Sequence, residues 1–205
     1  MKVSVDFGLL LATFSISYFL GSISAAILVC KFMGLPDPRQ VGSGNPGATN
    51  VLRHGGKKAG LYTLLGDLSK GLLPVWAISQ VLQDPLLSSV ACIGAFLGHL
   101  YPVFFKFKGG KGVATAIGTI LGFMPLLGLI LIAIWLGMAF IFRYSSLAAV
   151  TAAFFAPILT YFLYPGVPIY LITTSLLSVL LIWRHRSNIQ NLYAGKEQKI
   201  GAKAK

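Results

Sequence analysis

Apolar residues dominate this chain in long unbroken runs, at 7–30, 60–82, 86–105, 113–142, 146–164 and 167–183, with short polar strings between them. A helix crossing a bilayer needs about 20 apolar residues, so the pattern predicts an all-α integral membrane protein. The run at 113–142 does not fit one crossing. As a helix its thirty residues would be roughly 45 Å long, too long for one upright span and short for two full ones. Pro125, after Gly122-Phe123-Met124, sits where a turn fits. We therefore expect a hairpin there and seven membrane helices, the fourth short or only partly spanning. The dense apolar runs leave no room for a separate soluble domain, so 1–205 reads as a single membrane domain. The run at 7–29 is long enough to span and lacks the basic n-region of a removable signal. No internal repeat is visible, and 201–205 reads as a disordered end.

Composition agrees with burial in lipid. The chain is 56% hydrophobic and only 11% charged, with a mean hydropathy of +0.78. Soluble domains carry about 25% charged residues. A net charge of +12 would suggest nucleic acid, but the placement of the charges excludes it. With the 113–142 run as a hairpin, fifteen of the seventeen basic residues fall on one side, in 31–59, 106–112, 143–145 and the segment from Arg184. Lys2 lies on the far side and Lys70 within a span. A single crossing would carry Arg143 and six tail residues outside. The positive-inside rule thus predicts an N-terminus outside and a cytoplasmic C-terminus. Cys30 and Cys92 form no CxxC pair and no histidine stands at ligand spacing, so neither a disulfide nor a metal site is expected.

All the polar motifs fall on the basic side. In the cytoplasmic loop at 31–59, the string RQVGSGNPGATNVLR runs from Arg39 to Arg53. Gly42, Gly44 and Gly47 let the backbone turn its N–H groups onto an anion. Ser43, Asn45, Thr49 and Asn50 add neutral donors, and Arg39 and Arg53 add charge. A solvated, turn-rich connector is the plainer reading. The loop at 106–112 sets three lysines around Gly109, Gly110 and Gly112 just before the helix at Val113, as in a phosphate cradle at a helix N-terminus. A topogenic lysine cluster would need the charge but not the permissive backbone. The cytoplasmic segment at 184–205 opens with Arg184-His185-Arg186-Ser187-Asn188, where His185 and Asn188 share a face at helical spacing. Neighbouring cations favour a neutral His185, suited to a base or a hydrogen-bonding anchor. His54 and His99 read as structural. Asp67 and Lys70, one helical turn apart within a span, read as a pair bracing the cytoplasmic half of the helix.

Several chemistries are absent. There is no GxSxG elbow, no pair of catalytic carboxylates, and no His-x4-Asp dyad, since Ala59, Phe104 and Gln190 follow the three histidines at that spacing. A cationic, amide-rich and hydroxyl-rich site facing the cytoplasm remains, suited to a substrate with phosphate and an acyl chain. The competing class is a transporter or channel for phosphorylated anions. Against it stand the one-sided motifs and the missing repeat.

The order of these motifs resembles the bacterial acyl-phosphate:glycerol-3-phosphate acyltransferases, the PlsY family. The resemblance runs through Gly21-Ser22, GSGNPGATN at 42–50 with Arg53, Asp67 with Lys70-Gly71, and HLYPVFFKFKGGKGVAT at 99–115. It continues through Arg143, Ser145-Ser146-Leu147, the His185–Ile189 string and Gly195-Lys196-Glu197. Ser24 and Asn191 depart from a proline and an arginine frequent in the family. The resemblance implies an inner-membrane enzyme that transfers an acyl group from acyl phosphate to glycerol 3-phosphate, without cofactor or metal. Its partners would be those two substrates, membrane lipid and the enzyme that forms the acyl phosphate. By the same analogy, Ser43 and Arg53, with Asn45 and Asn50, contact glycerol 3-phosphate. Lys111 with Gly109, Gly110 and Gly112 holds the donor phosphate. Ser145, His185 and Asn188 complete the acceptor pocket.

Overall fold

The computed structural model describes residues 5–201. Lys2 and most of the expected disordered end, 202–205, lie outside them. Among the described residues all regular structure is helical: α1 Phe7–Gly21, α2 Ala25–Phe32, α3 Ala48–Leu82, α4 Pro85–Leu100, a 3₁₀ turn Val103–Phe105, α5 Val113–Phe123, α6 Pro125–Phe142, α7 Ser145–Leu163, α8 Pro168–Arg184 and α9 Arg186–Tyr193.

Four stretches are long and apolar enough to cross a membrane: Phe7–Phe32, Pro85–Phe105, Pro125–Phe142 and Ser145–Leu163. A fifth arises if α8 and α9, bent by 56° at His185, count as one. The sequence expectation of seven is thus met only in part. The 60–82 run lies inside α3, where Asp67, Lys70 and several glycines dilute its apolar character. The 113–142 run does break at Met124, because Pro125 cannot continue the preceding helix and starts the next. Gly128 packs against Leu121, so α6 folds back on α5. With eleven residues, α5 is roughly 16 Å long, about half a hydrocarbon thickness. Large side chains such as Phe32, Phe140 and Val81 are exposed, as lipid-facing residues are.

Close helix contacts come from small residues. A Cβ on Gly71 would lie 2.4 Å from the Thr115 carbonyl oxygen, and one on Gly118 2.2 Å from that of Leu68. Only glycine lets α3 and α5 approach so far, and close packing of this kind is what joins helices in lipid. This contact seals a polar knot. Lys70 Nζ lies 2.9 Å from Asp67 Oδ1 and donates to the Ile23 carbonyl at 2.7 Å. Thr115 Oγ1 donates to the Asp67 carbonyl at 2.9 Å. It therefore accepts from His99 Nδ1 at 3.1 Å. The bracing expected of Asp67 and Lys70 is present, and it reaches His99.

One expectation needs correction. The segment 31–59 reads as a loop in the sequence, yet α2 runs to Phe32 and α3 starts at Ala48, which leaves 33–47. Extended Gly47 ends the turn-rich string. Beyond it Val51 and Ala59 bury against Ala26 and Cys30, and this apolar stripe stabilises helix. At Gly56, with φ 82°, the helix breaks, and Gly60 then packs on Leu52. Arg53 and His54 accordingly sit on a short helical piece.

Candidate functional site

Helices α3, α5 and α7 begin, and α4 and α8 end, at one face of the bundle, and most of the polar motifs meet there. The loop 106–112 has little freedom. A Cβ on Gly109 would lie 2.0 Å from the His99 carbonyl oxygen, and one on Gly110 2.3 Å from His99 Nε2 and 3.1 Å from the Pro46 carbonyl oxygen. The glycines of the second loop are therefore wedged between the end of α4 and the first polar loop. Gly112 has φ 87° and leads into α5, whose first N–H groups lack intrahelical partners.

Lys111 is half-buried and its ammonium donates to Asn188 Oδ1. Asn188 cannot flip, because its Nδ2 donates to Glu197 Oε1 at 2.8 Å. Ser146 Oγ donates to the same carboxylate oxygen at 2.6 Å. Burial lowers the Lys111 pKa from its ordinary value, Glu197 opposes that shift, and Arg184 and Arg53 add to it. His185 lies at the elbow between α8 and α9, 4% exposed. Its Nδ1 lies 2.9 Å from the Leu181 carbonyl oxygen. A carbonyl only accepts, so Nδ1 carries the proton and Nε2 presents a lone pair. Burial pushes the imidazole down to about 4, with nearby Lys111 and Arg184 acting in the same direction.

The segment after α9 forms a strap over this face. Arg53 donates from Nη2 to the Gln198 carbonyl at 3.0 Å, and Arg143 from its own Nη2 to that of Ile200 at 3.2 Å. The strap returns the contact, with the Ile200 N–H donating to the Arg143 carbonyl at 2.6 Å.

The expected residues thus divide. Lys111 bonds Asn188, and Arg53 and His185 lie near enough for their charges and that of Lys111 to act on one another. Ser145 opens α7 beside Ser146, and it is Ser146 that bonds Glu197. Ser43 and Asn45 remain in the first loop, joined by a 3.4 Å contact of the Asn45 N–H with Ser43 Oγ. Asn50 departs from its expected role as a substrate contact. It is 2% exposed, accepts from the Ser43 N–H at 3.1 Å, and donates to the carbonyls of Pro38 and Val41 at 2.8 and 3.1 Å. Every donor and acceptor of its amide is occupied in bracing the loop. Two residues that the motif reading gave no role, Arg184 and Glu197, hold the site together. Glu197 is the only glutamate in the chain, and a lone acid in a basic tail was a usable signal.

Apolar space adjoins the cations. A groove lined by Val113, Ile117, Ala149, Ala152, Leu177 and Leu181 starts two residues past Lys111 and runs among α5, α7 and α8. Among the described residues no group of histidine, cysteine and carboxylate side chains is placed to hold a metal.

The chain is similar to known proteins over nearly its whole length. Residues 11–195 match the sequence profile of the family described as glycerol-3-phosphate acyltransferase. A Methylococcus capsulatus protein of that name is 51% identical over 187 residues, covering 91% of this chain and 94% of its own. One from Burkholderia pseudomallei is 54% identical over 200 residues, covering 96% and 98%. Among solved structures, PlsY (YgiH), an integral membrane glycerol 3-phosphate acyltransferase in its glycerol 3-phosphate form, has a TM-score of 0.86 at 39% identity, covering 94% of this chain and 96% of that one. Its lysophosphatidic acid form gives 0.84 at 38%. A matching profile, close relatives of nearly equal length and a common fold make this multi-pass membrane protein a member of the glycerol-3-phosphate acyltransferase family.

Proposed function

We propose that the protein transfers a fatty acyl group from acyl phosphate to glycerol 3-phosphate, giving 1-acyl-glycerol 3-phosphate and inorganic phosphate for phospholipid synthesis. The observation that carries this reading is the join between cradle and groove. Lys111 and the glycine loop, a cation beside permissive backbone, lie two residues before Val113, where an apolar groove begins.

Acyl phosphate is an activated mixed anhydride, so no nucleophile of the protein is needed. The work of the site is positioning and charge stabilisation. Lys111 and the loop amides hold the donor phosphate. Arg53, with Ser43, Asn45, Ser145 and Asn188, receives the acceptor. The lone pair on His185 Nε2 accepts a hydrogen bond from the reacting hydroxyl and aims it at the acyl carbon. With a pKa of about 4, the imidazole is a weak base, and a phosphate oxygen of the substrates is the better proton acceptor. The hydroxyl oxygen bonds to the carbonyl carbon, the bond from that carbon to the phosphate oxygen breaks, and phosphate leaves with the electron pair. Lys111 and the amides meet its growing charge.

Seven membrane segments with the site on the cytoplasmic side of an inner membrane fit this chemistry, since soluble glycerol 3-phosphate must reach the cradle. The membrane-embedded α3 and the short α5 supply the crossings beyond the apolar set. The test uses purified protein in detergent with glycerol 3-phosphate and acyl phosphate, acyl-CoA or acyl carrier protein as donor. Turnover is expected with acyl phosphate alone and unchanged by EDTA. Equal rates with acyl-CoA, or activity lost to EDTA and restored by magnesium, would overturn the reading.

A further inference from the structure

Arg184 is a half-buried cation at the end of α8, and among the described residues it pairs with no carboxylate. Its strong bonds go to backbone. Nη2 donates to the carbonyl of Gly109 at 3.0 Å and to that of Gly110 at 2.9 Å. The guanidinium carbon lies 5.7 Å from the Tyr101 ring centroid. Tyr101 is itself anchored, because Tyr18 Oη donates to its carbonyl at 2.7 Å.

In a planar trans peptide the N–H points opposite to the C=O. Gly109 C=O shares a peptide with Gly110 N–H, and Gly110 C=O shares one with Lys111 N–H. Two consecutive carbonyls gathered on one nitrogen therefore turn two consecutive N–H groups to the opposite side of the loop. Among the described residues neither N–H finds an acceptor. Successive N–H groups aimed the same way form an anion-binding nest. Packing fixes where the loop lies, but glycine resists few peptide rotations, so the direction of its carbonyls needs a hydrogen-bond partner as well. We propose that Arg184 is a positioning residue: by holding the carbonyls of Gly109 and Gly110, it points the amides of Gly110 and Lys111 at the phosphate of the acyl donor. The inference rests on the acyl-phosphate reading above.

Kinetics of Arg184→Ala and Arg184→Lys, with inorganic phosphate as competitor of the donor, test it. In Arg184→Ala, the KM for acyl phosphate and the inhibition constant for phosphate should rise together by about tenfold or more. The KM for glycerol 3-phosphate should stay within about twofold. Arg184→Lys keeps the charge but not the planar fork stacked on Tyr101, so it should retain a smaller form of the same split. It carries the test alone if the alanine protein does not survive purification. Arg186→Ala, an exposed cation resting on Trp183, should match wild type. An equal rise in both KM values, a fall in kcat with neither KM changed, or an Arg184→Lys protein like wild type would overturn the positioning role. Wild-type protein inactive with acyl phosphate would instead remove the functional reading beneath it.

Discussion

Gly110→Ala is the sharpest test of how the second loop is held. The added methyl would lie 2.3 Å from His99 Nε2, 3.0 Å from His99 Cε1 and 3.1 Å from the Pro46 carbonyl oxygen. Ordinary contacts between such atoms are about 3.5–4 Å, so something must retreat by about 1 Å or more. His99 cannot, because its Nδ1 is bonded to Thr115 and lies 3.5 Å from Asp67 inside the α3–α4–α5 contact. Pro46 belongs to the loop that Asn50 braces. The glycine loop must therefore move. Overpacking of this kind costs about 1–3 kcal/mol of stability. Displacing a phosphate cradle by about 1 Å costs about a hundredfold in rate. The measurement is kcat/KM for acyl phosphate on purified protein, beside its thermal unfolding in detergent. A folded Gly110→Ala protein within about threefold of wild type would refute both the wedge and the role assigned to the loop.

Three further predictions use other parts of the site. Lys111→Ala should lower activity by about 10- to 150-fold, the value of a lost charge-assisted hydrogen bond, and Lys111→Arg should also be poor in so close-packed a loop. Lys57→Ala, on an exposed turn of α3, should be nearly silent, and equal small effects at 57 and 111 would remove the phosphate role of Lys111. His185 is held neutral, at about 4 against the usual 6.5, so below pH 6.5 the unfolded chain binds the extra proton. Stability should fall as pH drops from 6.5 towards 4, by about 3 kcal/mol in all. His185→Gln should flatten that slope in thermal unfolding against pH, and an unchanged slope would contradict the assignment. Cysteines introduced at Lys57, Lys108 and Tyr193 should be labelled from the cytoplasmic side and those at Asp84 and Gly166 from outside. Cys30 and Cys92 are buried and give little background, and outside labelling at Lys108 would break the topology.

The helices and the break at Pro125 were legible because apolar length and proline act locally. So was the nearness of Lys111, His185 and Asn188 to one another, since an amide one turn from an imidazole beside a span end is a short-range signal. The α3 boundary was not. Gly42 to Gly47 reads as turn, and only the burial of Val51 and Ala59 against α2 makes the following residues helical. Asn50 looked like a ligand because an asparagine in a polar loop has the same composition whether it faces substrate or braces the backbone. The roles of Arg184 and Glu197 depend on contacts 75 and 51 residues away in sequence, beyond any periodicity.

The strap has a consequence for the order of synthesis. Arg53 reaches a carbonyl 145 residues further along the chain, and Glu197, which fixes Asn188, lies in the same late segment. At about 5–20 residues per second, Arg53 is made about seven to thirty seconds before its partner exists. During that interval the first polar loop and the glycine loop can already meet in the membrane. Asn188, the amide that steadies Lys111, and Glu197, the carboxylate that orients it, are both still to be made, so the cradle is complete only when the segment 197–200 folds back across the bundle.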